Sequence, residues 1–225
     1  VAENVNGIRN SRKNKNGKEV DKSALDTILT DFDDAGYNVQ YHVLTAADYG
    51  VPQMRRRVII IGIRKDLGDN NDVYYPRAEY DRTGEATGKK WVSAKEGIDD
   101  LWDKVNKDIP NHYSQDISKT KFHPGRKMQG NNRIAADRPA PTIRAEHHGN
   151  IEAHYRTTKS DPNNMSGWRR LSVRECARLQ SFPDNFTFAC RPSYAYKVVG
   201  NAVPPVMAWY IAQGVLYTLS KWQGD

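Results

Sequence analysis

An α/β fold is predicted, on two observations. The chain up to Ile63 alternates strand, helix, strand, loop and strand, and its last member, Arg57–Ile63 (RVIIIGI), is a β-branched run of the kind buried inside a sheet. In order, Val1–Val5 reads as the tail of a strand that presents the carboxylate of Glu3 at its end. Asn6–Val20, rich in Gly, Asn, Lys and Arg, reads as a basic loop. Asp21–Ala35 places Leu25, Ile28, Leu29 and Phe32 on one helical face, and Gly36 stands where the chain leaves a helix. Tyr37–Leu44 alternates as a strand, and the loop Thr45–Met54 that follows holds Asp48, Gly50, Pro52 and Gln53.

Beyond Arg64 the pattern changes. Asp66–Lys90 is polar and turn-rich, and Ser93 with Glu96 opens a short amphipathic helix that runs to Asp103. From Asn106 to Gly167 hardly any periodicity remains. A run that long without structure suits a functional loop region or a small separate module. Ser172 and Glu175 form a capping box for a helix carrying Val173, Cys176, Ala177 and Leu179, and Phe182-Pro183-Asp184 stops it. A tight turn at Gly200-Asn201 and the pair Pro204-Pro205 lead into an apolar helix from Val206 to Trp222.

The formal charge of +7 and pI near 9.3 suit a polyanionic partner, although many basic proteins bind none. A hydrophobic fraction of 38% and a mean hydropathy of −0.80 are low for an α/β core of 225 residues, so part of the chain is expected to be loop-rich and solvated. Cys176 and Cys190 make neither a CxxC nor a zinc spacing, which argues against a disulfide scaffold and structural zinc. Val206–Leu219 is interrupted by Gln213 and Gly214 and is too short to span a bilayer. No signal-peptide pattern is present, and a reducing cytoplasmic setting is expected. The first residue is Val, so the start reads as cut.

Five short blocks stand out in a fixed order. They are Glu3-Asn4-Val5, Gln53-Met54-Arg55-Arg56-Arg57 followed by VIIIG, Arg138-Pro139-Ala140-Pro141-Thr142-Ile143, Arg169–Phe186 (RRLSVRECARLQSFPDNF) and Gly200–Pro205 (GNAVPP). Singly, each has an ordinary reading: a solvated Glu at a strand end, a basic strand entry, a turn before a proline-started helix. Together they resemble the ENV, QxRxR, RPxPTI, penultimate and GNxV blocks of DNA (cytosine-5) methyltransferases, with Gln53 fifty positions after Glu3, a spacing like that family's. The resemblance implies the C-terminal half of a doubly wound, Rossmann-like methyltransferase sheet plus a small loop-rich target-recognition domain. It divides the chain into residues 1–64 (catalytic α/β segment), 65–167 (target recognition) and 168–225 (scaffold helix and a C-terminal helix returning to the catalytic domain).

The chemistry implied is methyl transfer from S-adenosylmethionine to C5 of a cytosine flipped out of duplex DNA, in a restriction–modification setting. Because C5 is a poor nucleophile, a thiolate must first add to C6, while an acid meets N3 and a cation steadies O2. By resemblance, Glu3 takes the N3/N4 edge, and Gln53, Arg55 and Arg57 surround the flipped base and its phosphates. On a continuous strand, Arg55 and Arg57 share a face. Asn201 and the backbone of Ala202 and Val203 would contact the amino-acid end of S-adenosylmethionine, since amides near a helix start suit a carboxylate. In the recognition region, candidate DNA contacts are Arg126, Lys127, Asn131, Asn132, Arg133, Arg144, His147 and His148, of which Arg and Asn can read base edges bidentately. The charged residues of Arg169–Phe186 are expected to form structural ion pairs. His147, His148 and His154 lack a carboxylate or Cys to complete a ligand set, so no metal is expected.

Two family elements are absent from this sequence. It holds no glycine-rich strand–turn–helix for the cofactor and no Pro-Cys loop, since Cys176 follows Glu175 and Cys190 follows Ala189. The expectation is therefore a C-terminal portion or subunit that is inactive alone and needs an N-terminal methyltransferase half as partner. Two alternatives remain open: a non-catalytic DNA-binding module derived from such an enzyme, and a piece of an RNA cytosine methyltransferase.

Overall fold

The computed structural model describes residues 1–13, 19–67, 73–119, 123, 133–145, 153–155 and 167–221. The chain begins with strand β1 (Ala2–Val5), a 3-10 turn at Asn6–Arg9 and the short strands β2 (Arg12–Lys13) and β3 (Glu19–Asp21). Helix α1 (Ala24–Asp34) leads to β4 (Tyr37–Thr45), then β5 (Gln53–Met54) and β6 (Arg56–Arg64). Helix α2 (Ala94–Ile98) precedes the two-residue strands β7 (Ala140–Pro141), β8 (His154–Tyr155) and β9 (Arg169–Arg170). Helices α3 (Val173–Leu179), α4 (Pro192–Asn201) and α5 (Pro205–Ser220) complete the chain. The mixed α/β class is as the sequence predicts.

Two compact units form. One contains Val1–Thr45, Arg56–Arg77 and Trp209–Asp225; the other contains Ala46–Arg55 and Ala78–Ala208. These boundaries differ from a division at 64 and 167. Residues 46–55 leave the first unit in mid-chain, and the scaffold segment groups with the recognition region.

In the first unit the sheet order is β1-β6-β4, antiparallel throughout. Antiparallel strands of this kind occur at the margins of otherwise parallel α/β sheets. Two-residue alternation sends Val58 and Ile60 to one face, where they pack with Leu25, Ile28 and Leu29 of α1. Burying Leu25 there contributes on the order of 2 kcal/mol. α1 starts one turn into the expected segment because Ser23 caps it: the Ser23 hydroxyl accepts from the Asp26 amide, and the Asp26 carboxylate accepts from the Ser23 amide. Gly36, at φ +84°, lets the chain leave the helix and enter β4. Where the sequence reads a basic loop, β2 and β3 pair as a short antiparallel ribbon, too small to carry an apolar face and so without alternation. A strap at residues 73–77 also escapes the polar, turn-rich reading. Its Tyr75 hydroxyl donates to the Gln40 carbonyl and its ring stacks on His42, while the Tyr74 amide donates to Thr218 Oγ1 of α5.

The second unit is built around α3. Leu171, Val173, Cys176, Ala177 and Leu179 are fully buried with Ile98 and Tyr155. The Ser172–Glu175 capping box is present, and the buried His112 explains why it sits so deep. His112 Nε2 faces the Leu101 carbonyl at 2.7 Å, which can only accept, so Nδ1 receives the Ser172 hydroxyl at 2.6 Å. The Ser93–Glu96 box opens α2, which gives way after Ile98 to a 3-10 turn through Lys104 rather than continuing as one helix. The expected turn at Gly200-Asn201 is instead the last turn of α4. The glycine is required by proximity, not by a left-handed backbone: a Cβ there would lie 2.4 Å from the Arg144 carbonyl oxygen.

Candidate functional site

Register brings the first two sequence blocks together. In the β1–β6 ladder Val5 lies opposite Arg57 and Glu3 opposite Ile59, so Glu3 and Arg57 are diagonal neighbours on one face, the face turned away from α1. Arg57 Nε lies 2.6 Å from Glu3 Oε1, and Arg57 Nη1 donates to the Arg56 carbonyl at 2.8 Å. The Nε contact is a close ion pair whose N–H is not aligned on the oxygen, so Glu3 Oε1 is buried without an aligned donor. Glu3 occupies the second position of β1, not its tip, and is half-buried. Burial pulls the Arg57 pKa below the ordinary arginine range, and the Glu3 carboxylate opposes that shift.

Arg55 has a different fate. The Arg55 amide bonds back to the Gln53 carbonyl at 3.0 Å, which interrupts the strand between β5 and β6 and breaks the alternation that would put Arg55 beside Arg57. Its guanidinium is only 1% exposed and donates within the second unit to the carbonyls of Ile143, Gly200 and Ala202, each at 2.9 Å. The expected pair of guanidiniums on one face is therefore not formed. Gln53 is likewise fully buried: its Oε1 accepts from the Ile143 amide, and its Nε2 donates to the Leu179 carbonyl and to Gln180 Oε1. Gln180 in turn donates to the carbonyls of Val199 and Ala202, and the Thr142 hydroxyl donates to the Met54 carbonyl. β5 pairs in parallel with β7 in register Gln53 to Ala140. Four of the five sequence blocks thus converge on one buried polar knot. From the sequence Gln180 falls with Val173, Cys176, Ala177 and Leu179 in the helical spacing of this segment, with no role assigned to it. A polar residue directly after the apolar face of α3 is the only signal that marks it.

At the GNxV-like block, Asn201 is exposed and its side chain makes no hydrogen bond among the described residues. Ala202 is fully engaged: its amide caps α4 on the carbonyls of Val198 and Val199, and its carbonyl accepts from Arg55 and Gln180. The start of α5 is a poor anion cradle. Pro204 and Pro205 carry no N–H, and the Val206 amide donates to Ser181 Oγ.

The scaffold segment is a set of ion pairs and carbonyl contacts. Arg169 forks onto Glu175 with both contacts at 2.7 Å and lies 3.7 Å over the Trp102 ring; Arg178 joins Asp100 and Asp184. Hydrogen bonds from Arg178 hold the Asp184 carboxyl below the usual carboxylate range. Arg174 donates to the carbonyls of Pro110, Pro183 and Phe186. Cys176 is buried in this core, and Cys190 is exposed. Of the candidate DNA contacts, Arg133 and Arg144 are exposed, with Arg133 over the Trp168 ring at 5.7 Å. Arg126, Lys127, Asn131, Asn132, His147 and His148 lie outside the described residues. Among the described residues no cluster of His, Cys, Asp and Glu could hold a metal, and no helix is long and apolar enough to cross a membrane.

Comparison with known proteins gives a consistent result. The family model described as C-5 cytosine-specific DNA methylase matches residues 1–216. The type II methyltransferase M.FnuDI of Fusobacterium nucleatum is 35% identical over 98% of this chain and 64% of its own length. M.NgoFVII of Neisseria gonorrhoeae is 32% identical over 96% of the chain and 58% of its own length. The chain thus spans less than two thirds of these curated relatives. Among solved structures, a prophage-encoded E. coli protein described as a DNA modification methyltransferase covers 97% of the chain at TM-score 0.59 and 19% identity. The S. pombe Dnmt2 methyltransferase covers 97% at TM-score 0.60 and 14% identity. At those identities the likeness is one of fold, a Rossmann-like α/β fold.

Proposed function

The chain belongs to the C-5 cytosine-specific DNA methylase family, and from that premise we propose that it supplies the base-holding and scaffold portion of a restriction–modification enzyme that methylates C5 of a cytosine flipped from duplex DNA. The observation that carries the proposal is the meeting of Glu3 and Arg57 at 2.6 Å on one sheet face, although they lie in blocks far apart in sequence. A carboxyl group and a guanidinium side by side match the N3/N4 and O2 edges of cytosine. Glu3 holds or delivers the proton at N3, and Arg57 donates to O2 as negative charge gathers on the ring. The ion pair keeps both groups in place before the base arrives, and the unaligned Nε–H leaves Arg57 able to turn toward O2.

Gln53 and Arg55 serve as positioning residues. They hold the QMR segment within the buried knot of the second unit. Asn201 and Val203 would hold one end of S-adenosylmethionine, which supplies the methyl group when bound. The thiolate and the rest of that pocket come from sequence outside this stretch. Arg133 and Arg144 remain candidate DNA contacts, together with the six recognition-region residues outside the described set.

The test is reconstitution. This chain is mixed with an amino-terminal methyltransferase segment carrying a Pro-Cys loop and a glycine-rich turn, and transfer of labelled methyl to duplex DNA is measured. The mixture is expected to be active, and this chain alone inactive. Arg57→Ala is expected to lower kcat by about 10²–10³ while changing DNA affinity less than tenfold. Equal losses in both would reduce Arg57 to a phosphate clamp, and a folded, stoichiometric but inactive mixture would overturn the assignment.

A further inference from the structure

A cleft of about 800 Å³ opens in the second unit, and none of the residues assigned above to base or cofactor lines it. Its lining includes the exposed Arg82, Lys90 and Arg138 and the half-buried Met54 and Trp91; Asp137 is the one carboxylate among the lining residues. The three cations come from separate places, two from the ends of the 82–90 loop and one from the start of the RPAPTI segment. None of the three forms an ion pair among the described residues, whereas the adjacent Lys89 is paired with Glu79 at 2.9 Å.

The cleft is built on fixed parts. Asp81 fastens its own loop through six hydrogen bonds. Its Oδ1 accepts from the amides of Thr83 and Gly84 and the Thr83 hydroxyl, and its Oδ2 from the amides of Ala86 and Thr87 and the Thr87 hydroxyl. Desolvation opposes the ionised form of Asp81, but the bonds from Thr87, Thr83 and Gly84 outweigh it and hold the carboxyl well below the usual carboxylate range. Its charge is thus fully engaged in the loop. Trp91 is pinned by its Nε1–H to Asp48 Oδ1 at 2.9 Å, and the Arg138 carbonyl accepts from the Ala94 amide at 2.9 Å. Cations carried on a braced frame and outside any close ion pair among the described residues lose little entropy when they meet an anion. The cleft is too open and too large for a single phosphate group, and three separated positive charges suit successive negative charges along a chain.

We propose that this cleft seats a phosphodiester segment of the duplex DNA substrate, with Arg82, Lys90 and Arg138 on its phosphates and the Trp91–Met54 floor under its sugars. The inference rests on the DNA-modifying reading above. It is tested on the 225-residue chain with a labelled 20-base-pair duplex and, separately, a tRNA, each titrated across a salt series. The triple substitution Arg82→Ala/Lys90→Ala/Arg138→Ala is expected to weaken duplex binding roughly tenfold or more at low salt and to reduce the slope of log affinity against log salt by about 2–3. Lys89→Ala, which removes one charge outside the cleft, is expected to change the slope by less than about one. A triple variant with wild-type melting temperature, affinity and slope would overturn the cleft assignment and leave the DNA-modifying reading standing. Failure of the wild-type chain to bind duplex at any salt would overturn both. A loss confined to tRNA would overturn the choice of duplex as the occupant.

Discussion

Arg55 and Arg57 are two positions apart and live in opposite circumstances. Arg55 is buried and joined to three main-chain carbonyls, while Arg57 sits on a sheet face against a half-buried carboxylate. Releasing the guanidinium would leave the Ile143 and Gly200 carbonyls without the donor they have here, and would leave Ala202 only the longer bond from Gln180, so Arg55 is a permanent fastening. A carboxylate with spare acceptor capacity, met by an N–H that is not aligned on it, can exchange its partner for an incoming base. Two like side chains in one short motif thus differ in kind: one is locked to the main chain, and the other is paired with a single carboxylate.

Substitutions can sharpen or break that contrast. The largest effect on folding is expected from Arg55→Ala, which strands the carbonyls of Ile143 and Gly200, leaves Ala202 only its bond from Gln180, and opens a cavity; urea denaturation should show a loss on the order of 3–5 kcal/mol. A loss under about 1 kcal/mol would erase the distinction between the two arginines. Gly200→Ala drives a methyl group against the Arg144 backbone and should cost about 1–3 kcal/mol in the same assay, with the damage centred on the knot. If this variant were as stable as the parent, α4 would not be clamped as tightly as its geometry implies. Arg57→Gln should have the smallest effect, about 1 kcal/mol or less, because Glu3 keeps enough exposure to be hydrated when its partner is lost. A loss as large as that of Arg55→Ala would make Arg57 a structural residue too.

The sequence was most legible where the determinant is local. Ser93 and Ser172 each announce a helix start because a cap is settled within three residues, and the β-branched run before Ile63 announces its strand by composition; the same signal at Ser23 was passed over, so that helix was started too early. It was least legible where the determinant is distant. Arg55 turns inward because of carbonyls at positions 143, 200 and 202, which no window around it contains. Gly200 looked like a turn because its reason for being glycine is the backbone at Arg144, not its own dihedral angle. The block order pointed to the family, while the assignment of individual roles within a block needed the register of β1 on β6 and the hydrogen bonds of the knot. Arg82 and Lys90 went unremarked, and Arg138 was read only as part of its block, because only the folded chain brings the three to one cleft.

β1 is four residues long and, among the described strands, is held along one side only, by β6. Its alignment therefore decides more than its length suggests. A slide of a single residue would swing Glu3 through the sheet toward α1 and bring a neutral neighbour, Ala2 or Asn4, to the place it leaves. The acid beside Arg57 thus depends on how one short ladder is threaded.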